Sequence, residues 1–166
     1  MLAVLVAIVA VIAVAVAAFF LYGREQTWAL IAGNPDLGPF ERTAPARSPR
    51  PNDALLCTQG LCDGVKVDAQ LPDYAASPEE LIASIDAAIR DLGIPVRRVD
   101  DGSDPTRARY VTWSPLMRFP DTNAFEAVPL DDGRTGLVAY ARAQLGYSDG
   151  GANLKRLQAV TLNLGN

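Results

Sequence analysis

Histidine is absent from the 166 residues, lysine occurs only at Lys66 and Lys155, and cysteine only at Cys57 and Cys62. Without histidine, Ser–His–Asp chemistry and most zinc sites are excluded. What remains for catalysis is a pair of carboxylates, a lysine or an activated thiol. Neither cysteine has an evident electropositive helix terminus nearby, which argues against the thiol. As metal ligands the two cysteines lack two further soft partners. Asp100-Asp101-Gly102-Ser103-Asp104 superficially suggests a calcium loop, but it lacks the regular alternation and distal glutamate of an EF-hand. No cofactor and no metal is therefore expected. A basic stripe is missing too: eleven basic and fifteen acidic residues follow Ala54, within a net charge of −4. That balance argues against sequence-independent nucleic-acid binding.

Charge, proline and glycine are all missing from Met1 to Tyr22. As a helix this run would extend ~33 Å, enough to cross the hydrocarbon core of a bilayer. A cleaved signal is the competing reading. It would need a basic leading region and a shorter apolar core, whereas the first basic residue is Arg24. Ala15-Val16-Ala17 imitates a cleavage site but lies inside the apolar run. Residues 1–22 are therefore expected to be a retained transmembrane helix, with Phe19, Phe20, Tyr22 and Trp28 as an interfacial aromatic belt.

Two signals disagree on orientation. Arg24, Arg42, Arg47 and Arg50 follow the apolar run and no basic residue precedes it, which puts the domain in the cytoplasm. Cys57 and Cys62, five positions apart, suit a disulfide pinning a loop in an oxidising compartment; two plain thiols are the alternative. The expected setting is the bacterial inner membrane, single-pass, with a periplasmic C-terminal domain.

Residues 23–51 read as a Pro-rich juxtamembrane linker. Pro35, Pro39, Pro45, Pro49 and Pro51 remove amide donors and disfavour helix before each. Trp28, Leu30 and Ile31 are placed at the lipid surface and Phe40 is expected to dock onto the domain. The globular part, residues 52–166, is long enough for one adequate core. Gly64 to Gln70 alternates like a strand. Ser77-Pro78-Glu79-Glu80 then opens a helix with an N-cap, a first-position proline and a capping box. Leu81, Ile82, Ile85, Ala88, Ile89 and Leu92 form its apolar face, and Gly93 and Pro95 end it.

Ile94 to Val99, Ala108 to Arg118, Ala124 to Leu130 and Gly136 to Leu145 read as further strands, with Asp131-Asp132-Gly133 as a hairpin turn. Leu137, Ala139 and Ala141 face one way, a small-residue surface suited to a helix; Val138, Tyr140 and Arg142 face the other. Ser148 or Asp149 caps a last helix with Leu154, Leu157, Val160 or Thr161, and Leu164 along one stripe. The expected fold is α+β: an antiparallel sheet of four to five strands covered by two helices, behind a transmembrane helix.

Leu145 to Arg156 places Gly146, Gly150 and Gly151 at a strand-to-helix turn and Asn153 and Arg156 on the first turns of that helix. Exposed amides there, with Ser148, Arg156 and Arg142 near, suit a carboxylate or phosphate. The alternative is a capped turn whose polar side chains satisfy one another, with Asp149 itself in the positive potential. The candidate ligand site is thus Arg142, Ser148, Asp149, Asn153 and Arg156.

Met117-Arg118-Phe119-Pro120-Asp121 and the segment from Gly146 to Arg156 resemble the family called domain of unknown function 1499. Its members show a Phe-Pro-Asp step and a later Gly-x-Ser-Asp-x-Gly-x-Asn-x-x-Arg segment leading into a C-terminal helix. Pro51-Asn52-Asp53 is also similar to family openings. The resemblance covers about Asn52 to Leu164. Members often carry Ser-Arg where this chain has Gln144-Leu145. The family has no established activity, so the resemblance implies a fold, the Phe119-Pro120-Asp121 turn and a bacterial or plastid setting, and no reaction.

The sequence therefore points to a single-pass, membrane-anchored accessory or binding module without catalytic chemistry. It would contact a membrane protein partner, a membrane protein complex or an amphiphilic lipid-like ligand. One alternative is an enzyme on a lipid or cell-envelope substrate using Asp121 and Asp149, with Arg156 holding an anionic group. Another is a structural subunit of a larger membrane assembly.

Overall fold

The computed structural model describes residues 1–131, 133–162 and 164. Asp132, in the predicted hairpin turn, and Asn163, Gly165 and Asn166, at the end of the predicted domain, lie outside the described residues. The apolar run forms α1, Leu2–Tyr22, long and apolar enough to span a membrane and with none of its most apolar stretch buried in the chain. Gly23 then breaks the axis at φ 111°, a conformation closed to most L-residues. A Cβ there would also collide with the Gln26 side chain.

The chain resumes directly as a second helix, α2, Arg24–Ala32. This corrects the reading of residues 23–51 as one linker: the first proline is Pro35, so nothing between Arg24 and Ala32 opposes helix. Residues 33–52 follow without regular secondary structure.

Six strands form one mixed sheet: β1 Asp53–Thr58, β2 Ala69–Leu71, β3 Val96–Arg98, β4 Arg107–Trp113, β5 Pro120–Pro129 and β6 Thr135–Ala143, in the order β2-β1-β6-β5-β4-β3. All neighbours are antiparallel except β1 and β2, which run parallel. The expected antiparallel sheet of four to five strands is thus corrected to six strands with one parallel pair. β1 lacks alternation because Ala54, Leu55, Leu56 and Cys57 are all buried, alternately on two covered faces. Within the Gly64–Gln70 region only Ala69 and Gln70 are strand, as the start of β2.

β4 stops at Trp113, and residues 114–119 make a turn around Arg118, whose φ of 57° is left-handed. β5 begins at Pro120, four residues before the expected Ala124, because Asp121, Thr122 and Asn123 are polar yet buried.

The capped helix is α3, Pro78–Arg90, with both capping-box hydrogen bonds formed at Ser77 and Glu80. The last helix is α4, Ala152–Thr161. Both pack on one face of the sheet, α3 against β5 and β4 and α4 against β1 and β6, in a core that holds Leu81, Ile85, Ile89, Leu157 and Val160 together with Leu137, Ala139 and Ala141 of β6. The small residues let α4 approach closely, as the pattern of β6 predicts. On the other face lies a smaller core of Phe40, Leu55, Cys57, Cys62, Ala124, Val138 and Tyr140. Phe40 stacks on Tyr140 with ring centroids 4.5 Å apart, so its docking is observed.

That second face is held by a strap, residues 33–52, tied down along its length. Arg109 makes a two-point ion pair with Asp36 at 2.7 and 3.0 Å. The Thr122 hydroxyl accepts from the Leu37 amide and donates to the Pro35 carbonyl. Arg47 reaches Asp53 and Asp68, both at 2.7 Å. Cys57 and Cys62 are disulfide-bonded beneath it.

Candidate functional site

A buried polar network lies under the N-terminal half of α4. Arg156 donates to Asp121 Oδ2 at 2.6 Å, to Asn153 Oδ1 at 2.7 Å and to Asn123 Oδ1 at 3.2 Å. Asn153 in turn donates to the Asn52 carbonyl, while the Asn52 amide reaches the carbonyls of Ala143 and Gly146. Asn123 also donates to the Thr112 hydroxyl. Asn52, Thr112, Asp121, Asn123 and Asn153 are all buried, so each needs these partners to offset desolvation. Burial pushes the Asp121 carboxyl above its ordinary range; Arg156 pulls it back without cancelling the rise, and Asp149 adds to it.

Three separate segments converge here: Asn52 from the domain opening, Asp121 from the Phe-Pro-Asp step, Asn153 and Arg156 from the glycine-rich segment. Asp149 accepts from the Gly151 amide with one oxygen and the Asn153 amide with the other. Ser148 accepts from the Gly150 amide. The arrangement is that of the capped turn, with the anion position at the helix start filled by Asp149.

Arg142 stands apart. It pairs across from Thr122 and lies on the strap side of β6, near Leu37, Phe40 and Tyr140. Successive strand residues point to opposite faces, so Arg142 and the neighbours of Ala143 cannot share a site.

Beside the network a cavity of about 550 Å³ opens between the ends of α3, β4 and α4 and the 114–119 turn. Leu92, Ile94, Trp113, Phe119, Ala143 and Leu145 supply an apolar lining, and Asp121, Ser148, Asp149, Lys155 and Arg156 a polar rim. Lys155 is exposed, and its ammonium group has no hydrogen-bond or ion-pair partner among the described residues. Its charge is available at the mouth, whereas Arg156 is committed to the network. Of this apolar lining the sequence reading singled out only Phe119 as a site residue. Trp113 and Leu92 carry no signal beyond apolarity, whereas Asp121, Thr122 and Asn123 are polar residues inside a buried strand.

The turn forming one wall is fastened to α2. Arg24 donates to the Leu116 carbonyl at 2.6 Å and Trp28 to the Met117 carbonyl at 2.7 Å. Trp28 also packs on Phe119, centroids 5.0 Å apart, and on Phe19 of α1 at 5.4 Å. No family model, curated protein or solved structure matches the chain.

Proposed function

We propose that this is a single-pass membrane-anchored binding module, displayed outside the cytoplasm, whose cavity holds an amphiphile with an apolar tail and an anionic head. The cavity carries this reading: it joins an apolar lining to a rim with an uncommitted cation, Lys155, the usual form of a small-ligand site. The two carboxylates of an enzymatic reading are already engaged, Asp121 with Arg156 and Asp149 with two backbone amides.

The disulfide supports the periplasmic side. The arginines that argue for the cytoplasm have local work: Arg24 binds the turn, Arg42 faces Glu126 at 3.5 Å and Arg47 bridges two aspartates. Three of the four arginines are thus accounted for by the fold, and Arg50 alone is left as a topological signal.

The test is solvent extraction of the purified full-length chain followed by mass spectrometry of what it carried. A retained anionic amphiphile, reduced two- to fivefold or so by Lys155→Glu, is expected from loss of an exposed charge contact. A chain that carries nothing beyond the detergent blank ends the ligand reading. Membrane fractionation with and without residues 1–22 tests the anchor separately.

A further inference from the structure

We propose that the domain lies against the bilayer through a second contact, the 114–119 turn together with α2, so that the cavity mouth opens at the lipid interface and takes its amphiphile from the membrane. This rests on the ligand reading above and on α1 crossing a bilayer. The occupant of the exposed apolar patch is thereby the lipid surface itself, for three reasons on the molecule.

First, the patch is continuous with α1. Only Gly23 separates α1 from α2, and α2 exposes Leu30 and Ile31. Second, the turn is held within reach of the end of α1. Two backbone carbonyls of the turn are bound by Arg24 and Trp28, the first and fifth residues of α2. A third tether, Gln144, donates to the carbonyls of Ala32 and Asn34 and fixes the far end of α2 to the end of β6. The turn therefore has little freedom to move away from the helix exit, and its apex residue Leu116 is 69 % exposed. An aliphatic side chain held there against water is stabilised by insertion at a headgroup boundary.

Third, an aromatic path joins the bilayer end to the cavity: Phe19 of α1, Trp28 of α2, then Phe119, which is itself a cavity wall. Of the three, Trp28 carries the polar N–H that favours this interfacial depth. Arg24, stacked over Phe20 at 5.4 Å, places a cation at the same level. A tail leaving the bilayer at Phe119 thus reaches the apolar lining without crossing bulk water.

The experiment uses the full chain in nanodiscs of phosphatidylcholine and phosphatidylglycerol. Leu116→Cys, an exposed position, is labelled with an NBD fluorophore while Cys57 and Cys62 remain protected as a disulfide; Glu79→Cys at the start of α3 is the control. The nanodiscs include a phosphatidylcholine spin-labelled near its headgroup, and the lipid carried by the same detergent-purified chain is measured before reconstitution. The expected result is loss of about half or more of the emission at position 116, as for an interfacially seated residue, and almost none at position 79. Equal, weak quenching at both positions overturns the docking, whatever lipid is retained. Strong quenching at 116 with no retained lipid upholds the docking and overturns the cavity as its destination. Strong quenching at both positions overturns the specific orientation.

Discussion

Asp121 and Arg156 face each other across 2.6 Å beneath α4, in a place where neither charge is well solvated. Such a pair contributes little net stability, but removing one partner strands the other. Arg156→Met is expected to cost about 3–5 kcal/mol at neutral pH in urea denaturation. The folded-state pKa of Asp121 is already raised, and it rises further without the arginine. A raised carboxyl destabilises the fold above its unfolded value, and the penalty lifts as pH falls through the folded one. The deficit of Arg156→Met should therefore shrink on acidification; an unchanged deficit would contradict the pairing.

Asp53 behaves in the opposite sense. Burial pushes its carboxyl up, but hydrogen bonds from Arg47, the Ser48 amide and the Tyr140 hydroxyl together outweigh this and hold it below 3.8. Its stabilisation is present above the unfolded value and lost as pH falls through the lower folded one. Arg47→Met is expected to shift acid unfolding, followed by circular dichroism, to higher pH. An unmoved acid midpoint would mean that the strap does not depend on this contact. At this scale the sequence marked Asp121, Asn153 and Arg156 but not their mutual contact, because nothing in local spacing brings residues 35 apart together. Arg142 was grouped with them by proximity in sequence, and the two-residue period of β6 sends it to the other face.

Elements were legible where local chemistry decides them. α3 begins where its capping box demands and ends at Arg90, three residues before the expected Gly93 stop, and Ser77→Ala is expected to lower stability by about 1 kcal/mol in denaturant titration. No measurable change would mean the box is a geometric coincidence. α1 was equally plain from composition. The strands were harder: β1 is buried on both faces and shows no alternation, while the start of β5 was masked by polar residues that only the network explains. α2 was hidden for another reason. Its hydrogen bonds to a turn nearly ninety positions away fix it, and those contacts leave no local trace.

Across the whole molecule, the sheet is covered on one face by α3 and α4 and on the other by the strap and the disulfide loop. Proline content made residues 23–51 read as a linker with Phe40 docked; Asp36 and Arg47 bind it to the sheet as well. The disulfide closes a loop with cysteines five positions apart. Replacing both cysteines by alanine is expected to cost about 2 kcal/mol by the loop-closure relation, read in urea titration under oxidising conditions. A double variant as stable as the parent would show that the second core holds without the bond. The same molecule-wide arrangement leaves a cavity bounded by β4, the turn, β6 and α4, and this bears the functional proposal.

Trp113 lines that cavity and becomes the sole indole once Trp28 is replaced by phenylalanine. Its emission can then be titrated with a single-chain anionic amphiphile brominated on the tail, with and without Ala143→Phe, which fills the cavity from β6. Saturable quenching is predicted, with binding weakened about tenfold by Ala143→Phe, equal to ~1.4 kcal/mol of lost space. Quenching that never saturates, or that Ala143→Phe leaves unchanged, would contradict the cavity as a ligand site.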